Sequence, residues 1–432
     1  MSEFANRRQE LLEAMGEGGV AVFPAAPIAL RNHDVEHPYR QHSDLYYLSG
    51  FCEPESLLLL TNQHDKERTV LFVRPRKRER EIWDGPRAGV EGAVAEFGAD
   101  VAFPIEDLDS KLADYVGNAE RLHYRVGQNQ EADATIFDCL NQLRRGSRRG
   151  VRPPETIIDP SMHLHEMRLR KSESELQIMR EAAAITTEAH LHAMRAAHPG
   201  MHEYELDAEL LHVFRKHGSE RPAYESIVGS GPNATILHYR AGNRVMHQGE
   251  LVLVDAGCEY GYYASDVTRT FPVGGEFSPE QRAIYEVVLG AQKAAIAAVK
   301  PGITLQDIHE DAVRTLTEGL VSIGLLEGDV DSLIEQKAYE PYYMHRTSHW
   351  LGMDVHDVGH YYVGGAHRPL EPGFVLTVEP GLYIAADAED VHARWRGIGV
   401  RIEDDVVVTP TGCDVLTAGI PKEVDAVEAA CE

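Results

Sequence analysis

Residues 253–271, LVDAGCEYGYYASDVTRTF, set two acids, Asp255 and Asp266, into a pattern that otherwise reads as buried strand. Residues 251–255 and 262–271 are rich in β-branched and aromatic side chains, the composition that suits strands. Tyr260-Gly261 lies between them, and glycine tolerates the positive φ of a tight hairpin turn. With those two residues as the turn, 259 pairs with 262 and Asp255 with Asp266. Directly opposed side chains sit roughly 4.5–5.5 Å apart at Cβ. Two ionised carboxylates that close, partly out of water, repel, so either one is protonated or a cation lies between them. A solvent-facing hairpin end tolerates the same two acids, and the pair by itself leaves both readings open.

The rest of the chain narrows the choice. Its 432 residues are enough for two or three domains with sizeable cores. No apolar run reaches the ~20 residues of a membrane span. The opening MSEFANRRQELLEAM lacks the apolar centre of a secretory signal, so a cytoplasmic location is expected. Cys52, Cys139, Cys258, Cys413 and Cys431 are scattered, odd in number and without a CxxC. They offer no disulfide framework and fit a reducing compartment. A net charge of −27 argues against nucleic acid or an anionic membrane as partner.

Over residues 1–168 the short apolar runs GVAVFP, SLLLLTN, RTVLFV, RLHYRV and ETIIDP alternate with helical patterns, which predicts an α/β N-terminal domain. Pro-rich VRPPETIIDP then leads into a helical segment opened by the capping-box pair Ser172 and Glu175. The boundary is placed near residue 168, with a second domain over 169–432. That second part repeats itself faintly. HPGMHEYELDAEL (198–210) and KPGITLQDIHEDA (300–312) each carry Pro-Gly, four residues and an acid. LVLVDAG (251–257) and FVLTVEPG (374–381) each end a strand in an acid and a glycine. GVRIEDDVVV (399–408) matches the second hairpin strand of the first half, with Val400 and Ile402 on one face and Arg401, Glu403 and Asp405 on the other. A duplicated helix-and-hairpin unit brings Asp255/Asp266 and Glu379/Glu403 together across a pseudo-twofold axis.

The histidine-rich stretch MHRTSHWLGMDVHDVGH (344–360) lies between the two acid pairs. Two divalent cations, four carboxylates and one neutral imidazole sum to zero charge, which resolves the opening problem in favour of metal. Oxygen donors with one imidazole favour Mn²⁺, with Co²⁺, Fe²⁺ and Zn²⁺ as alternatives. Two such ions roughly 3.5–4 Å apart bridge and acidify a water.

These segments carry a resemblance. DAGCEYGYYASDVTRTF, SHWLGMDVHDVG, TVEPGLYI and GIGVRIEDDVVVT resemble the signature segments of the aminopeptidase P group of pita-bread metallopeptidases. PYRQHSDLYYLSGF (38–51) and EIWDGPR (81–87) resemble that group's N-terminal domain. The resemblance implies an α+β pita-bread catalytic domain whose metal ligands are Asp255, Asp266, His349, Glu379 and Glu403, with Asp266 and Glu403 bridging both ions. It implies release of the N-terminal residue from peptides with proline second, by attack of a bridging hydroxide on the carbonyl before proline. Glu379 would shuttle the proton, and His356 and His238 would contact the substrate and the tetrahedral centre. Arg401 with Tyr383 would orient Glu403, and His345 would wall the proline pocket. Trp83 would close a neighbouring subunit's pocket in a homo-oligomer, dimer or tetramer.

Other features weigh less. His360 and His367 read as surface residues, and VGSGPN (228–233) as a turn, because it lacks the lysine of a phosphate loop. HYYVGGAHRP (360–369) departs from the more polar and basic residues of the family and leaves Arg368 as its one cation. The alternative within the same chemistry is prolidase, which is confined to Xaa-Pro dipeptides and needs a carboxylate clamp such as Arg368. Metal-free and noncatalytic members of the fold lose ligands that this chain keeps.

Overall fold

The computed structural model describes residues 2–240 and 242–432, and the chain divides into two compact units, residues 1–167 and 168–432. In the first, the apolar strand Gly19–Pro24 sits inside a six-stranded mixed sheet, antiparallel to Leu57–Thr61 and parallel to Arg121–His123. Thr69–Val73 and Val101–Pro104 extend one side, and Thr156–Ile158 the other. Val20, Val22, Leu59, Val70 and Phe72 bury against Leu112 and Tyr115 of the helix Leu108–Val116 and Ile136 and Leu140 of Gln130–Arg145. The strand Val101–Pro104 was not marked by the sequence pattern; it is four residues long and mostly half-buried.

The second unit makes the internal repeat visible. Ser172 and Glu175 form the expected capping box at the head of Glu173–Ala196, and Ser278 with Gln281 repeats it at Pro279–Ala298. The acid after each Pro-Gly closes the next helix. Glu205 accepts from the His202 N–H and Asp307 from the Thr304 N–H, both at 2.7 Å, opening Glu203–Lys216 and Leu305–Ser322. Each half therefore supplies a helix pair and a hairpin, the pita-bread plan. Leu251–Asp255 pairs antiparallel with Thr268–Pro272 in one half, and Val375–Val378 with Asp404–Val408 in the other. The halves meet where the Glu403 N–H donates to the Thr268 carbonyl and the Thr270 hydroxyl to the Arg401 carbonyl, both at 3.0 Å. Val252, Val254, Phe271, Val400 and Ile402 fill one shared core with Ile284 and Tyr285. The opposite face of the same strands carries the acids, beside a small apolar cluster of Leu253, Ile227, Ala234 and Tyr383. No helix among the described residues is long and apolar enough to cross a membrane.

The first hairpin is registered differently from the expectation. Tyr260 pairs with Tyr263, so the turn residues are Gly261 and Tyr262, at φ 55° and 71°, as a type I′ turn requires. Asp255 faces Thr268 instead of Asp266. The ladder continues through Ala256 N–H to the Val267 carbonyl and Ser265 N–H to the Cys258 carbonyl, which sets Asp266 across from Gly257. A Cβ on Gly257 would lie 1.7 Å from the Ser265 carbonyl oxygen, so only glycine permits this approach. A slip of two residues preserves the face. Asp255 and Asp266 are therefore diagonal neighbours on one face rather than directly opposed. The error came from placing the turn without a tyrosine at positive φ, an uncommon conformation for an aromatic residue.

Candidate metal centre

The acids converge in a cleft of about 440 Å³ lined by Asp255, Asp266, His349, Glu379, Arg401 and Glu403, among others. Asp266, His349 and Glu403 each turn a donor atom inward, and the three atoms lie within 4.8 Å of one another. His349 Nε2 stands 3.3 Å from Asp266 Oδ2 and 3.6 Å from Glu379 Oε1. Its Nδ1–H donates to the Trp350 carbonyl at 3.0 Å, which leaves Nε2 as the atom facing the carboxylates. The Tyr224 hydroxyl touches both Asp255 Oδ1 and Asp266 Oδ1 at 2.5 Å.

A layer of fixed donors holds the acids from behind. The Thr268 hydroxyl donates to Glu403 Oε2 at 2.6 Å and accepts from Arg401 Nε at 2.9 Å. Arg401 Nη2 donates to Asp255 Oδ2 at 2.6 Å, and Nη1 to the Tyr383 hydroxyl at 3.0 Å. Tyr383 in turn donates to His345 Nε2 at 2.8 Å, whose Nδ1–H is taken by the Arg346 carbonyl. Asp405 accepts from the Ser265 hydroxyl and the Asp266 N–H, which fixes the loop that carries Asp266.

Electrostatics then tests whether a cation suits the donors. Burial pushes Glu403 well above the usual carboxylate range, helped by Asp266, Glu379 and Asp255. Burial likewise raises Glu379 to about 7 against the pull of His349 and Arg401, and raises Asp255 against Arg401. Burial alone would lower His349, but hydrogen bonding to Asp266 and the Glu379 charge carry it to about 9. His345 is pushed down to about 3 by burial and by Arg401. Among the four acids Asp266 alone is lowered, against the effect of burial, by its hydrogen bond to His349. Four buried carboxylates faced by one guanidinium and one imidazole are a donor set that divalent ions fit.

The residues singled out from the sequence are distributed as follows. Asp255, Asp266, His349, Glu379, Glu403, His238, His345, His356 and Arg401 all line this one cleft. Tyr383 stands behind it through Arg401 and His345. The His356 ring packs edge-on to His349 at 4.4 Å. Trp83 belongs to the first unit, 84% exposed on the helix Arg78–Asp84, which has no buried residue. Arg368 lies outside the cleft lining, only 8% exposed, with its guanidinium over the Phe374 ring at 5.1 Å. That position does not suit it to clamp a substrate carboxylate. Tyr224 was missed: it is a lone tyrosine in AYES with no periodic or motif signal around it. Thr268 was missed too, although it alternates with Asp266 on the strand face already singled out.

Carboxylates gathered from two hairpins around one imidazole, with donors fixed behind them, define the centre of a metal-dependent hydrolase. Residues 177–410 match Metallopeptidase family M24, and residues 4–124 match the Aminopeptidase P, N-terminal domain. Xaa-Pro aminopeptidase of Escherichia coli (strain K12) is 46% identical over 428 residues, 99% of this chain and 97% of that protein. The structure of Pseudomonas aeruginosa aminopeptidase PepP superimposes with a TM-score of 0.98 at 52% identity, covering 99% of this chain and 97% of that one. Zinc-substituted Escherichia coli aminopeptidase P in complex with product gives 0.97 at 46% identity, covering 100% and 98%. The chain belongs to metallopeptidase family M24, and it is a metal-dependent aminopeptidase.

Proposed function

We propose that this protein removes the N-terminal residue from peptides with proline in second position, using two divalent ions, Mn²⁺ in the native enzyme, held by Asp255, Asp266, His349, Glu379 and Glu403. The observation that carries this reading is the convergence of all five side chains on one cleft, where four acids outnumber the two basic groups, Arg401 and His349, that face them. When bound, the ions supply Lewis acidity for the substrate carbonyl and lower the pKa of a water. Glu379 lines the same cleft and takes and returns a proton there. That proton matters because the proline nitrogen carries no hydrogen of its own and leaves only once protonated. His238 and His356 line the cleft beside the acids, where they contact the substrate and the carbonyl oxygen as charge develops on it. His345, held neutral and braced by Tyr383, forms a wall for the proline ring. Arg401 fixes Asp255 and, through Thr268, Glu403.

The protein acts in the cytoplasm as a homo-oligomer, dimer or tetramer, with Ile82 and Trp83 as exposed apolar contacts, and takes peptides rather than nucleic acid or membrane as partners. A length series that shares one Xaa-Pro pair tests the substrate assignment. Tripeptides and longer peptides are expected to be cleaved with higher kcat/KM than the dipeptide. Activity confined to the dipeptide moves the enzyme to prolidase.

A further inference from the structure

Beside the main cleft lies a smaller one of about 170 Å³. Arg346 and Ser348 line both, so a chain leaving the first can enter the second over these two residues. In a protein with 69 acids against 42 bases, no Asp or Glu lines this smaller cleft. Its walls are Arg346, His309, Tyr361, Tyr362 and His367. Arg346 is exposed, and its Nη1 donates to Gln306 Oε1 at 2.9 Å. That partner is neutral, and among the described residues no carboxylate pairs with the guanidinium. His309 is held down to about 4 by burial, so Arg346 supplies the charge there at neutral pH.

The aromatic wall is built in advance of any ligand. Tyr361 stacks on the buried Trp350 at 5.4 Å and accepts from its backbone N–H at 3.3 Å. Tyr362 and His367 pack at 4.4 Å across the hairpin Tyr362–Val363/Ala366–His367. Gly364 and Gly365, at φ 61° and 83°, make its two-residue turn. This hairpin is the same 360–369 stretch whose sequence departs from the family.

Resting on the reading that the main cleft takes Xaa-Pro, we propose that the smaller cleft receives the residue after proline, and that Arg346 binds a carboxylate there. The carboxylate is either the C-terminus of a tripeptide or an Asp/Glu side chain of a longer peptide. Successive Cα atoms lie about 3.8 Å apart, and Arg346 follows His345, the proline wall, by one position. The residue after proline is therefore the first that can come within reach of the long Arg346 side chain, which lines both clefts.

The test uses Ala-Pro-Gly as free acid and as amide, with Ala-Pro-Asp-amide and Ala-Pro-Lys-amide, on the metal-loaded enzyme. The free acid is expected to exceed its amide, and Asp-amide to exceed Lys-amide, by roughly three- to tenfold in kcat/KM, mostly through KM. Both preferences should shrink as salt rises to ~0.5 M, because Arg346 is exposed. Arg346→Met should erase them, and Gln306→Glu, which sets a carboxylate beside the guanidinium and neutralises it, should largely cancel them. A free-acid preference alone assigns the C-terminal carboxylate; an Asp preference alone assigns the side chain. Equal rates across all four peptides, or preferences that survive in Arg346→Met, overturn the subsite while leaving the Xaa-Pro reading intact. Failure to cleave any of the four removes both.

Discussion

Asp255 and His356 line one cleft but are held there by different forces, and substitution separates them. Asp255 is buried, bound by the Arg401 guanidinium and the Tyr224 hydroxyl. Asp255→Asn keeps the shape and removes the charge, so metal occupancy and turnover should collapse together. His356 meets His349 only through the edge-on ring contact. His356→Ala should keep the metal and cost ~10²–10⁴ in rate, the scale of a lost transition-state or proton-transfer contact. Elemental analysis beside steady-state kinetics decides; equal metal loss in the two variants would refute the division. At this scale the acids were legible in sequence because buried-looking strands that end in an acid are costly without a ligand, whereas the histidines were picked out by the resemblance of their segments to the family. Tyr224 was not legible. Its part is set by the position of its hydroxyl between two carboxylates, which no local pattern encodes.

At the scale of elements, strands and helix starts read well because their signals are local: apolar runs, capping boxes and Pro-Gly entries. What failed was the short, mostly half-buried strand Val101–Pro104 and the hairpin turn, where one uncommon backbone conformation at Tyr262 decides the register. The reading of VGSGPN as a turn failed as well: its first three residues belong to the strand Ile227–Ser230, paired antiparallel with Leu251–Asp255, and a short 3-10 turn, Gly231–Thr235, follows. Glu203, fully buried, accepts from the Ser230 N–H and hydroxyl at 2.8 Å each, from Asn233 Nδ2 at 3.0 Å and from the Tyr239 hydroxyl at 2.8 Å. One carboxylate thus ties down both ends of the 230–239 loop that presents His238. Glu203→Gln replaces one acceptor oxygen with an amide that opposes the same donors, at a cost of about 1–3 kcal/mol in stability. We expect kcat to fall with metal content unchanged, and the loss to be much smaller in a His238→Ala background, as coupled groups require. Equal losses in both backgrounds would make Glu203 purely structural. If His238→Ala alone leaves the rate unchanged, the role given to His238 fails instead.

The whole molecule carries a net charge of −27, yet it gathers four carboxylates in the interior of one unit. Their state without metal follows from burial. Glu403 lies well above its ordinary range, Glu379 at about 7, and Asp255 is raised, so metal-stripped protein at pH 7 retains protons at this cluster. Divalent ions bind the ionised forms. Acid therefore competes: affinity should fall as pH drops from about 8 to about 6, and binding at pH 7 should release protons. His349, at about 9, must give up its proton as well. Titration calorimetry in two buffers of different ionisation heat counts the protons; no released proton would mean that neither the carboxylates nor His349 hold one. Binding to the folded state alone also stabilises it, by about 2.7 kcal/mol at a hundredfold excess over Kd. That gain has an address. The strands Leu251–Asp255, Thr268–Pro272, Val375–Val378 and Asp404–Val408 carry or flank the acids, whereas the sheet of residues 1–167 holds none of them. Hydrogen exchange should therefore show added protection of those four strands on Mn²⁺ binding, with the first unit's strands unchanged. Protection that rises equally in both units, or not at all in the four strands, would show that the ions bind somewhere other than this cleft.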